Sequence, residues 1–84
     1  MRVLYLHEFV AEFRSLDKQP QTQIWKKLDE LARTELHGYP HLALRGPQFK
    51  GLYKFRIGDY RLIYKLDDEA LVFVTLGHRS DVYE

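Results

Sequence analysis

Two rhythms of apolar residues divide this chain near Leu44. Arg2 to Leu6 is a short run rich in apolar residues and predicts a strand. Phe9, Phe13 and Leu16 then recur at i, i+4 and i+7, which puts them on one face of an amphipathic helix. Pro20 interrupts that stripe and suits the first turn of a second helix, where no intrahelical N–H is lost. Ile24, Leu28 and Leu31 carry the second helix on the same spacing, with Lys26, Lys27, Asp29, Glu30 and Arg33 away from the stripe. Its end is expected near Gly38, since glycine readily takes the left-handed conformation that closes many helices. Tyr39-Pro40 marks a loop.

Beyond Leu44 the period shortens to two. Tyr53, Phe55 and Ile57 alternate with Lys54 and Arg56, as in a half-buried strand. Gly58-Asp59 is a two-residue hairpin signal. Tyr60, Leu62 and Tyr64 then alternate with Arg61, Ile63 and Lys65, Asp67-Asp68-Glu69 forms the next turn, and Leu71 to Leu76 is a third apolar strand. The expected architecture is α+β, one domain over residues 1–84. It has an N-terminal strand, a helical hairpin and then a three-stranded antiparallel meander, with the helices on one face of an antiparallel sheet.

The alternation also aims the charges. With Tyr53, Phe55, Tyr60, Leu62 and Tyr64 toward the core, Lys54, Arg56, Arg61 and Lys65 share the other face. Ile63 falls among them, either under the arginine stems or as a docking point for another chain. The formal net charge is only +1, yet residues 45–65 hold Arg45, Lys50, Lys54, Arg56, Arg61 and Lys65 against Asp59 alone. A basic stripe of this kind is an electrostatic footprint for phosphate; a solvated sheet face is the structural alternative. The chain has no cysteine, which excludes disulfides and thiolate metal sites. His7, His37 and His41 lack metal-ligand spacing, so neither a metal nor a cofactor is expected. The opening apolar run is too short for a signal peptide and no stretch approaches a membrane span, so a cytoplasmic location is expected.

Four segments together carry a family likeness: Leu44-Arg45-Gly46, Gly51-Leu52-Tyr53-Lys54-Phe55-Arg56, Gly58-Asp59-Tyr60-Arg61-Leu62-Ile63-Tyr64, and Gly77-His78-Arg79-Ser80-Asp81-Val82-Tyr83. In these the chain resembles the RelE toxins of toxin–antitoxin systems, and the strand and helical hairpin before them fit the wider RelE/ParE superfamily. The resemblance implies an endoribonuclease that cuts messenger RNA on the ribosome and is held inactive by a cognate antitoxin. It implies cleavage without a metal, by attack of the 2′-hydroxyl on the adjacent phosphate to leave a 2′,3′-cyclic phosphate.

Such a reaction needs a base, an acid and fixed positive charge around the phosphorus. By resemblance, Tyr83 matches the family's catalytic tyrosine, and Lys54 and Arg61 match its phosphate-stabilising positions. A free phenol titrates near 10, so a basic Tyr83 needs cations beside it; Lys54 is the other candidate base. Arg79 matches an arginine assigned to the leaving group and corresponds to either of two that relatives carry in this stretch. An arginine is a poor acid at neutral pH, which favours an electrostatic role for it, and His78 is the neighbouring side chain suited to proton transfer. Arg45, Lys50, Arg56 and Lys65 complete the expected RNA-binding set, Arg56 standing where relatives often carry lysine. The alternatives are a ParE-like toxin that inhibits DNA gyrase without chemistry, and a catalytically degenerate relative that still binds an antitoxin. Trp25, beside the apolar helix stripe, reads as a packing or partner-docking residue.

Overall fold

A computed structural model describes residues 1–35 and 40–78. Strand β1 (Arg2–Tyr5) leads into α1 (His7–Arg14) and α2 (Lys18–Ala32). Then come a short edge strand β2 (Leu42–Ala43), a single 3₁₀ turn at Pro47–Phe49, β3 (Leu52–Ile57), β4 (Tyr60–Asp67) and β5 (Ala70–His78). The five strands lie in the order β1-β5-β4-β3-β2. The β3–β4–β5 meander is antiparallel, as its alternation predicts. The β1 edge departs from the expected all-antiparallel sheet, because β1 runs parallel to β5. Among the described residues no helix is long and apolar enough to cross a membrane.

Helix periodicity translates directly into burial. Phe9 of α1 and Ile24, Leu28 and Leu31 of α2 are buried against Ile57, Leu62, Tyr64, Leu71, Phe73 and Leu76 of the sheet. Phe13 and Leu16 are half-buried beside them, Leu16 lying just past the end of α1. An aromatic column runs through this layer. Phe73 meets Tyr5 at 5.9 Å, Phe9 at 5.5 Å and Tyr64 at 5.4 Å between ring centroids. Tyr64 is buried, and its hydroxyl shares a 2.7 Å hydrogen bond with His41 Nδ1. Tyr60, also expected inward, is partly buried against the same cluster.

The helix ends are closed by side chains from elsewhere. Gln21 Nε2 donates to the carbonyls of Phe13, Arg14 and Leu16, gathering the terminal acceptors of α1. Helix α2 does not reach Gly38, which lies outside the described residues; it stops at Ala32. There the α-amino group of Met1 donates to the carbonyls of Ala32 (2.9 Å) and Thr34 (2.5 Å), and the Thr34 hydroxyl donates to Glu30 O. A positive group at a helix C-terminus opposes the helix dipole and satisfies its last carbonyls.

Two irregularities set the sheet's register. The β3–β4 turn places Gly58 at φ 58° in the first central position of a two-residue hairpin, where a side chain is disfavoured. Between β4 and β5 the partners step from Ile63↔Thr75 to Tyr64↔Phe73, leaving Val74 as the extra residue of a β-bulge. Strict alternation would send Phe73 and Leu76 to opposite faces; the bulge returns Leu76 to the core side. Beyond the end of β1, Glu12 of α1 serves the exposed side of β5, its Oε1 accepting from Thr75 Oγ1 (2.7 Å) and Leu76 N (3.1 Å).

Candidate functional site

The face of the sheet away from the helices collects the cations that alternation assigned to it. Arg56 and Arg61 are direct partners across β3 and β4, and Lys54 is the partner of Ile63, two residues along β4 from Arg61. The turn at Gly58-Asp59 is closed by the pair Ile57↔Tyr60. The next pair, Arg56↔Arg61, therefore falls at a non-hydrogen-bonded position, where opposing Cα atoms approach to about 4.5 Å. Like charges so placed destabilise a sheet. Arg61 and Lys54 are half-buried while Arg56 and Lys65 are exposed. On its other side Arg61 pairs with Gly77, which contributes no side chain at that position.

Ile63, the apolar residue within this face, is 4% exposed. It sits between Arg61 and Lys65 along β4, opposite Lys54 on β3 and Thr75 on β5. It is buried within the chain itself, so no docking partner is needed to account for it.

The remaining expected site residues divide. Lys65 lies opposite Leu52 and is therefore a diagonal neighbour of Lys54, extending the cation ladder. Arg45 and Lys50 are exposed and flank the Pro47–Phe49 turn before β3 begins, at the end of that strand away from Arg56. The structure brings neither onto the ladder. His78 pairs with Tyr60 and packs edge-on against its ring at 5.9 Å. It thus shares the core-side orientation of Tyr60, opposite to Arg61. The sequence places His78 next to the site, and the bulge at Val74 turns Gly77 toward Arg61 in its stead. Arg79 and Tyr83 lie outside the described residues.

One feature at this edge had no sequence signal strong enough to announce it. Strand β2 is only two residues long, yet Leu42 pairs with Lys54 and so borders the cations. On the far side of the molecule Trp25 is 55% exposed. It borders an apolar cavity of about 210 Å³ whose walls include Tyr5, Phe9, Phe13 and Leu28. Burial, with Asp29 nearby, pushes the ionisation of the Tyr5 phenol above its ordinary value, so that ring stays neutral in the cavity wall.

Comparison with known proteins identifies the family. Residues 3–83 match the family model of the ParE toxin of type II toxin–antitoxin systems. A protein of Escherichia coli described as RelE-like toxin is 31% identical over 86 residues, covering 98% of this chain and 88% of the relative. The isolated RelE toxin of E. coli superposes with a TM-score of 0.68 at 28% identity, over 98% of this chain and 89% of that one. In the toxin–antitoxin complex RelBE2 of Mycobacterium tuberculosis the matching chain gives a TM-score of 0.73 at 25% identity, over 95% and 92% of the two chains. With the family model spanning nearly its whole length, the chain belongs to the RelE/ParE superfamily as a RelE-type toxin of a type II toxin–antitoxin system.

Proposed function

We propose that this toxin is a ribosome-dependent endoribonuclease that cleaves messenger RNA without a metal. One observation carries the reading: Arg56 and Arg61 directly oppose each other across β3 and β4, with Lys54 diagonal to Arg61. Three cations at neighbouring positions on one sheet face can contact a single phosphate together. Fixed charge of this kind also stabilises the extra negative charge that develops as phosphorus becomes pentacoordinate.

In the proposed reaction the ribose 2′-oxygen forms a bond to phosphorus while the bond from phosphorus to the 5′-oxygen breaks. The 2′-hydroxyl proton goes to the base, Tyr83 or Lys54, and the departing 5′-oxygen takes a proton from water. Arg61 and Lys54 hold the non-bridging oxygens and Arg79 compensates charge on the leaving group. Gly77 is the cross-strand partner of Arg61, and the segment carrying Arg79 and Tyr83 follows from His78 directly after it. His78, on the face of Tyr60, takes no part in the phosphate cluster.

The relatives solved as toxin–antitoxin complexes support a cognate antitoxin as partner. Its apolar helix side chains would enter the Tyr5–Phe9–Trp25 cavity, the place where this chain exposes its largest aromatic residue.

The match to a ParE family model favours a second reading, a toxin that inhibits DNA gyrase by contact. Cleavage on ribosomes programmed with a defined message separates the two. The expected result is cutting of the message by the wild type, a loss of roughly 100- to 1,000-fold in Arg61→Ala, and large losses in Tyr83→Phe and Arg79→Ala. Intact message together with blocked supercoiling by gyrase would assign the second reading.

A further inference from the structure

Strand β2 ends for a reason that leaves a usable opening. Leu44 N donates to Leu52 O at 3.0 Å, so Leu44/Leu52 is a hydrogen-bonded rung of the antiparallel ladder. Such rungs recur every second residue, next at Leu42/Lys54 and then at Pro40/Arg56. Proline has no N–H to give the Arg56 carbonyl. The ladder therefore stops at Leu42, while β3 continues to Ile57. The missing rung leaves a cleft of about 260 Å³ lined by Pro40, Leu42, Lys54, Phe55 and Arg56.

The lining mixes apolar wall with cation. Leu42 is 58% exposed and lines the cleft together with Pro40. Arg56 supplies a guanidinium plane, and its carbonyl faces the position where residue 40 provides no donor. Unstacked RNA bases stack on arginine guanidinium planes and hydrogen-bond to protein groups along their edges, and apolar side chains can close the other side. At about 260 Å³ the cleft falls just under the roughly 300–1,000 Å³ of sites for larger ligands. That size suits one ring system.

From this we infer that the notch beyond β2 seats one unpaired RNA base next to the phosphate held by Lys54 and Arg61, and so contributes sequence preference. The inference rests on the endonuclease reading only for the choice of RNA as ligand. The cation ladder holds the backbone without regard to sequence; the notch is where sequence is read.

The test is binding of 2′-O-methyl trinucleotides, which lack the attacking hydroxyl, and of the same trinucleotides with an abasic centre. Wild-type protein is expected to favour the base-bearing form by about tenfold. In Leu42→Gln, and in Pro40→Ala, which restores the missing N–H, that preference should fall to within about twofold with abasic affinity unchanged. Arg61→Ala should weaken both forms equally. Leu42 and Pro40 are exposed, so thermal melts of these variants should match the wild type.

Equal binding of both forms by the wild type, or an undiminished preference in both notch variants, overturns the inference. So does loss of antitoxin binding in Leu42→Gln with trinucleotide binding unchanged, which would assign the notch to a peptide. A preference that behaves as expected in a protein that leaves message intact on ribosomes keeps the notch and removes the nuclease reading, so the two fail separately.

Discussion

On the helix-covered face of the sheet, Leu62, Tyr64, Leu71, Phe73 and Leu76 are each at most 3% exposed and pack in one apolar cluster. On the opposite face Lys54, Arg56 and Arg61 occupy neighbouring register positions. The same three strands build both. One face lowers the free energy of the fold through burial and aromatic contact; the other sets Arg56 directly opposite Arg61, a like-charge pair that costs stability by itself. The difference teaches where each kind of substitution should register. Changes on the covered face should appear as stability, and changes on the cation face as function.

The comparison breaks most visibly at Phe73. It is fully buried and touches Tyr5, Phe9, Phe55 and Tyr64. Phe73→Ala should cost about 3–5 kcal/mol in urea denaturation, enough to unfold much of a domain this small. If that variant melts like the wild type, the aromatic column is not what holds the sheet.

A smaller loss is expected at Glu12, whose carboxylate accepts from Thr75 Oγ1 and Leu76 N where β1 no longer covers β5. Glu12→Ala leaves both donors without that acceptor and should cost about 1–3 kcal/mol. Hydrogen exchange at the Leu76 amide should rise with it.

The smallest effect has the opposite sign. Arg56→Gln removes one member of the Arg56↔Arg61 pair and should raise stability by about 0.2–1 kcal/mol, the range for cross-strand pairs, with the lower end expected because Arg56 is exposed. In the same protein RNA binding should weaken. A gain in stability together with a loss in binding sharpens the contrast between the faces; a loss of both erases it.

Much of this contrast was legible in the residues. The helix stripes at Phe9, Phe13 and at Ile24, Leu28, Leu31 mark their buried sides, and strict alternation from Tyr53 to Lys65 separates core tyrosines from surface cations. What was not legible depends on partners distant in the chain. Leu42–Ala43 is too short to show a period, and only its pairing with Lys54 and Tyr53 makes it a strand. The parallel direction of β1 is set by docking beside β5, across almost the whole sequence. The end of α2 lacks a local glycine or proline, since its terminal carbonyls are met by the amine of Met1.

The candidate site was legible to a lesser degree. Lys54, Arg56, Arg61 and Lys65 share a face as alternation requires, whereas His78 does not join them. The one hint was the spacing of Leu71, Phe73 and Leu76, whose last step is three residues where two would continue the pattern.

That extra residue at Val74 bears on how roles are transferred between members of the superfamily. Carrying the Tyr64↔Phe73 register straight on without the bulge would set Leu76 in place of Gly77 opposite Arg61, and would turn His78 onto the cation face. The Arg61↔Gly77 pair is the firmer reference for roles at this end of β5, because that pairing is anchored in three dimensions and the linear spacing is not.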